Sequence, residues 1–135
     1  MNKKFLVSAL VVAVAALLLG FVVHALILHA DYARLPNVFR SESQSQAYFG
    51  YMLFAHLLIG VGMTWIYQCG HEAGKPFLMQ GLRFGAAVAV LSTIPMYLIY
   101  FAVQQLPSDL VAQQIVFDTI AMLALGVVTA WMNRS

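Results

Sequence analysis

Four apolar runs, residues 5–28, 47–67, 84–103 and 110–132, divide the sequence and leave it little choice of environment. Each holds 20–24 residues, and a helix rising about 1.5 Å per residue needs about 20 of them to cross roughly 30 Å of hydrocarbon. The charges lie between or beyond the runs, Asp118 excepted. Hydrophobic residues make up 62% of the chain and charged residues 9%, against about 45–50% and 25% in soluble domains, which excludes a water-soluble fold. The runs do not alternate apolar and polar residues over segments of about ten, as the strands of a membrane β-barrel would. The expected fold is all-α: residues 1–135 form a single integral membrane domain, an antiparallel bundle of four transmembrane helices.

The basic residues are scattered at the segment ends, so the net charge of +2 points to no nucleic-acid partner. It reports orientation instead. With four crossings, Lys3, Lys4, Lys75, Arg83 and Arg134 fall on one side and Arg34 and Arg40 on the other, which places both termini in the cytoplasm of a bacterial inner-membrane protein. Cys69 is the only cysteine, so no intrachain disulfide forms, and this topology puts it on the reducing side. The N-terminus also matches a secretory signal, with Lys3-Lys4, an apolar run and Val23-His24-Ala25. The apolar run from Phe5 to Val23 is 19 residues and exceeds a signal core of about 7–15, so a retained first span is expected.

An ionisable group inside a span is costly and normally faces the bundle interior, where it finds a partner. His56 and Asp118 are such groups, and His24 is a third one, nearer the outer membrane boundary. Counted from the outer ends of their runs, His56, Asp118 and Pro95 lie about 12–14 Å deep and His24 about 6 Å. Equal depth pairs His56 with Asp118 as a proton-linked couple, with His24 as a second contact. No matching polar layer is expected in the inner half.

Small residues mark where membrane helices meet. Gly20 is four residues before His24 and Gly60 four after His56, so the first two helices are expected to meet at Gly20 and Gly60, with Gly62 as a further small face. Gly81 and Gly85 form a close-packing face on the third helix, and Gly126 shares a face with Asp118 and Met122 on the fourth. Pro95 is expected to kink the third helix and free the carbonyl of Leu91, which Ser92 or a neighbouring helix would satisfy. Residues 29–46 have the composition of a solvated loop, in which Ser43 or Ser45 would cap the second span. Tyr97, Tyr100 and Phe101 are expected in the outer aromatic belt.

No Ser/His/Asp or Cys/His set marks an enzyme, although His56 and Asp118 could act as acid and base on a lipid. Cys69, His71 and Glu72 are metal-ligand types without the spaced pairs of a zinc motif. A haem or copper site would draw on His24, His56, Met52, Met96 or Met122, but the two histidines differ in depth and methionines commonly fill cores. No cofactor is therefore expected. The size and helix number are similar to those of the small multidrug transporters, whose acidic residue in the first span has no counterpart here, so their activity is not carried over.

Three readings follow. The first is a non-enzymatic accessory, assembly or sensor module in the lipid bilayer, working as a homo-oligomer or within a larger membrane complex. The second is a small oligomeric proton-coupled transporter using Asp118 and His56. The third is a haem- or copper-binding membrane protein.

Overall fold

The computed structural model describes residues 2–134, and among them there is no β-strand. The first span is α1 (Lys3–Gly20), which continues into a π-helical segment, Phe21–Ile27. Two short helices follow, α2 (His29–Ala33) and α3 (Glu42–Gln46). Next come α4 (Phe49–Gly70), then α5 (Phe77–Val88), a π-helical segment Ala89–Thr93, and α6 (Ile94–Val103), the last three forming one continuous rod. The chain closes with α7 (Ser108–Asn133). Lys3–Ile27, Phe49–Gly70, Phe77–Val103 and Ser108–Asn133 are each long and apolar enough to cross a membrane, the make-up of a multi-pass membrane protein. The third span begins before the apolar run at residue 84, because Arg83 interrupts the run without interrupting the helix. A long basic side chain can keep its head in a polar layer while its backbone stays helical.

α1 and α7 form the central pair, α4 lies against α1, and α5 against α7. Val12, Ala16, Met63 and Leu125 make the buried core between them, with Phe84, Val88 and Met122 packed around it. The Lys4 ammonium donates to the Arg134 carbonyl at 3.1 Å, so the two chain termini share one end, termed the terminal end. The opposite, distal end carries residues 28–48 and 104–107.

The helices approach through small residues, although not all at the expected places. A Cβ on Gly60 would meet Ala13 Cβ at 2.7 Å and Ala13 N at 2.8 Å. Gly60 therefore packs on the alanine face of α1, not on Gly20. Ala9, Ala13 and Ala16 supply a smooth stripe there, which serves a close crossing as well as a second glycine would. Gly20 lies opposite His56 instead, its Cβ position 3.4 Å from Nε2. Gly62 faces open space. On the other side, Gly81, Gly85 and Gly126 interlock: a Cβ on Gly126 would fall 2.6 Å from Gly85 N, and one on Gly85 2.9 Å from Leu123 Cα.

Residues 29–46 are more ordered than a solvated loop. Leu28 is fully buried with Val23 and Leu110, and Tyr32, Leu35 and Phe39 pack on them, the Tyr32 and Phe39 ring centroids 4.5 Å apart. Ser41, rather than Ser43 or Ser45, is the capping serine. It accepts from Gln44 N while the Gln44 side chain accepts from Ser41 N, a reciprocal box that starts α3. α4 begins at Phe49 with no side-chain cap. Arg40 covers the Tyr48 ring at 3.9 Å.

Pro95 sits in the first turn of α6, directly after the second π-helical segment. A proline removes one backbone donor and crowds the carbonyl four residues earlier, and the wider π turn makes room for it. Ser92 Oγ donates to Val88 O at 2.8 Å, not to Leu91, because a serine hydroxyl on a helix reaches the carbonyl four residues back.

The glycine contacts predict a sharp split. Gly85→Ala and Gly126→Ala should each cost about 1–3 kcal/mol, the usual range for overpacking, whereas Gly62→Ala and Gly50→Ala, which face open space, should stay within about 0.5 kcal/mol. Unfolding by denaturing detergent, measured on the purified protein in mild micelles, checks both halves.

Candidate functional site

Two polar clusters link the helices, one near each end. At the terminal end, Ser8 of α1, Thr64 and Gln68 of α4, and Asn133 of α7 converge. Asn133 Nδ2 donates to Ser8 Oγ and to Thr129 O, both at 2.8 Å. Gln68 Nε2 donates to Asn133 Oδ1 at 2.7 Å, and the Ser8 and Thr64 hydroxyls lie 3.3 Å apart. Ser8 and Thr64 are fully buried. This layer lies at the end that carries both termini, where the residue pattern led to no polar layer being expected: its members are uncharged, so a search for ionisable residues passes over them.

The distal cluster is ionisable. His24 Nε2 lies 3.1 Å from Asp118 Oδ2, and Tyr97 OH donates to the same oxygen in a short hydrogen bond. The other ring nitrogen of His24, Nδ1, is 2.5 Å from Tyr32 OH, and Gln114 Nε2 donates to that hydroxyl at 3.3 Å. Five side chains from α1's π segment, α2, α6 and α7 thus join in one chain. Asp118 and His24 side chains are 17% and 37% exposed, so the carboxylate is covered and the imidazole is reachable from one flank.

The partner of Asp118 is therefore His24, not His56. Side chains on a helix lean toward its N-terminus. His24 leans back toward the terminal end and Asp118 toward the distal end, so a separation of about 6 Å counted along the axes closes at the side-chain tips. His56 lies on α4, which packs mainly against α1 rather than α7, the helix of Asp118. Its Nδ1 is satisfied locally by the Met52 carbonyl at 2.7 Å.

The hydrogen-bond chain has a direction. An ionised Asp118 only accepts, so Nε2 of His24 carries a proton. In the neutral imidazole Nδ1 is then an acceptor, filled by the Tyr32 O–H, and the Tyr32 oxygen accepts from Gln114. Burial pushes the Tyr32 phenol above its usual range, and the Asp118 and Asp31 carboxylates push it the same way against the Gln114 hydrogen bond. Tyr32 therefore keeps its single proton at physiological pH and donates it in the hydrogen bond to Nδ1 of His24. Asp31 itself is held by Arg34 at 3.9 Å.

Tyr32, Tyr97 and Gln114 were not singled out by sequence reasoning. Gln114 is four residues before Asp118 on one helix face, a signal present in the sequence. Tyr97 was expected in the aromatic belt, and only the contact between α6 and α7 reveals its role. Both π-helical segments border the cluster, one containing His24 and the other ending four residues before Tyr97. Segments of this kind recur at functional sites.

The candidate metal ligands are dispersed. Both ring nitrogens of His24 are engaged, His56 hydrogen-bonds to the Met52 backbone, and Met122 packs on the central core. Met96 is exposed. Among the described residues no three His, Cys, Asp or Glu side chains come together. Cys69 is exposed, Glu72 pairs with Lys75, and His71 lies beside Tyr67 with ring centroids 6.0 Å apart. The Gln80 side chain clasps the connection, bonding Glu72 N at 2.7 Å and the carbonyls of Glu72 and Lys75 at 3.0 and 3.1 Å. Two cavities of about 360 Å³ each, one beside Lys75 and Arg134 and one beside Gly50 and Phe54, include neither His24 nor Asp118.

Comparison of the chain with protein-family models, curated proteins and solved structures finds no match.

The pairing predicts a double-mutant cycle with opposite outcomes for the two histidines. His24→Ala and Asp118→Asn should be coupled by about 1–2 kcal/mol in unfolding free energy, the scale of a hydrogen bond to a charged group in a membrane bundle. His56→Ala and Asp118→Asn should add within about 0.5 kcal/mol.

Proposed function

We propose that this chain is a non-enzymatic, proton-responsive module of the bacterial inner membrane, an accessory, assembly or sensor protein rather than a catalyst. It is an antiparallel four-helix bundle with both termini in the cytoplasm, and its distal cluster faces the outer half of the bilayer. The single observation that carries this reading is the position of His24, whose two nitrogens join Asp118 on α7 to Tyr32 in the outer connection. A proton gained or lost there acts at once on the helix pair and on the surface that a partner would meet. Orientation is supported by charge. Five basic residues belong to the terminal end and two to the distal end, as the positive-inside rule requires.

The sensor reading is tested by hydrogen exchange. Protonating His24 next to a carboxylate turns a hydrogen bond with one charged partner into an ion pair with two. After correction for intrinsic rates, protection of amides 29–39 should rise several-fold as pH falls from about 8 to about 6, across the range where imidazoles ordinarily titrate. That rise should vanish in Asp118→Asn. Protection indifferent to pH would remove the sensor reading. A proton-coupled flux in proteoliposomes, abolished by Asp118→Asn, would instead favour a small oligomeric transporter, a reading supported by the reachable flank of His24.

Orientation has its own check. Cys69 is exposed and is the only cysteine, so a membrane-impermeant maleimide should label it only after the cells are permeabilised. Labelling of intact cells would reverse the topology.

A further inference from the structure

Gln114 is 5% exposed, and its Oε1 has no hydrogen-bond partner, although its Nε2 bonds Tyr32. A buried carbonyl oxygen left unpaired is costly, and most buried polar atoms in folded proteins are paired. This oxygen stands at the end of the Tyr32–His24–Asp118 chain, whose members each have a defined number of protons. Counting those protons shows when the oxygen is used.

With His24 neutral, the chain runs from Gln114 Nε2–H to Tyr32 O, from Tyr32 O–H to Nδ1, and from Nε2–H to Asp118. With His24 protonated, both of its nitrogens are donors. Nδ1–H then donates to Tyr32 O, and the Tyr32 O–H must turn away from the ring. The group it meets is the Gln114 amide. A half-turn of that amide exchanges Nε2 for Oε1 and gives the hydroxyl an acceptor. We propose that Gln114 is the switch element of a proton-operated relay: protonation of His24 reverses the hydrogen-bond direction through Tyr32 and flips the Gln114 amide, so that Oε1 becomes paired.

The relay rests on the proton-responsive reading above and deepens it by naming how the signal moves. No bond is broken beyond the uptake of one proton at Nδ1. The Tyr32 proton stays on its oxygen, and the relay needs no proton exchange at Asp118. The titratable groups around His24 are few. Asp118 and Tyr97 meet at the same carboxylate oxygen, with Tyr100 near Tyr97; Tyr32 and the Asp31–Arg34 pair lie in the outer connection; and His56 borders Gly20 one turn away. Among these, only His24 joins two partners through opposite sides of an imidazole.

The consequence is mechanical as well as electrostatic. Gln114 lies in the first two turns of α7, close to the buried Leu110, on which Leu28, Tyr32, Leu35 and Phe39 pack. An amide that turns there changes what the outer connection rests on, without any helix having to move.

The test is nitrogen-15 NMR of the full chain in detergent micelles or nanodiscs, following the His24 ring nitrogens and the Gln114 side-chain amide between about pH 5 and 8. The expected result is that the Gln114 amide signals shift with the same midpoint as the His24 nitrogens, and that in Tyr32→Phe the Gln114 response is lost while His24 still titrates. His24 titrating with a silent Gln114 amide in the wild type would overturn the relay and leave the sensor reading standing. His24 fixed in one protonation state across the range would overturn both. A Gln114 response that survives in Tyr32→Phe would also sink the relay, since the signal would not pass through the hydroxyl. The wild-type titration decides the matter even if the variant fails to fold.

Discussion

A carboxylate that enters the hydrocarbon layer must be met by donors, and Asp118 is the group around which the distal half of this protein is arranged. Its Oδ2 accepts from an imidazole on the first span and a phenol on the third. Removing either donor while keeping the charge would expose the full desolvation cost of a buried ion. That requirement accounts for the contact of α7 with α1 and with α6. It also explains the order in residues 29–39: Tyr32 has to reach Nδ1 of His24, and Leu28, Leu35 and Phe39 hold it there.

The terminal half meets the same constraint with different chemistry. Ser8, Thr64, Gln68 and Asn133 are neutral, and each has a partner within the layer. Between the two layers the helices are held by shape alone, through Gly60 on the alanine face of α1 and through the Gly81, Gly85 and Gly126 interlock. Lipid tails are as apolar as the side chains, so close packing and polar pairing have to supply what the hydrophobic effect supplies in water. The core cluster of Val12, Ala16, Met63 and Leu125 lies in this middle zone.

Much of this was legible in the sequence because hydrocarbon thickness fixes span length, and four runs of 20–24 residues have one helical interpretation. The Gly81, Gly85 and Gly126 positions could be read from spacing for the same reason. The pairing of Asp118 could not. Counting residues measures depth along the axis, whereas the partners are chosen by which helices are neighbours and which way side chains lean. His56, at the right depth, sits on α4 and turns to the Met52 carbonyl; His24, at the wrong depth, leans into Asp118. The π-helical segments are invisible to a pattern of 3.6 residues per turn, though Pro95 hinted at the second. Ser8, Thr64 and Asn133 escaped notice because a hydroxyl or an amide at the edge of an apolar run looks like an ordinary surface residue until the facing helix is known.

The contrast between the two layers bears on what the molecule is for. If polar contacts served only to lock helices together, neutral side chains would suffice at both ends, as they do at the terminal end, and would avoid the cost of a buried charge. The distal layer instead uses a carboxylate, an imidazole and two phenols, groups whose protons can move or be counted. It also connects to ordered chain outside the spans, through Tyr32, while the terminal layer closes on itself. An ionisable cluster is a more expensive fastening than an amide, and its placement beside two π-helical segments adds local irregularity to that cost. Such an arrangement makes physical sense where the hydrogen-bond pattern has to differ between protonation states, because a neutral lock holds one pattern and His24 can hold two.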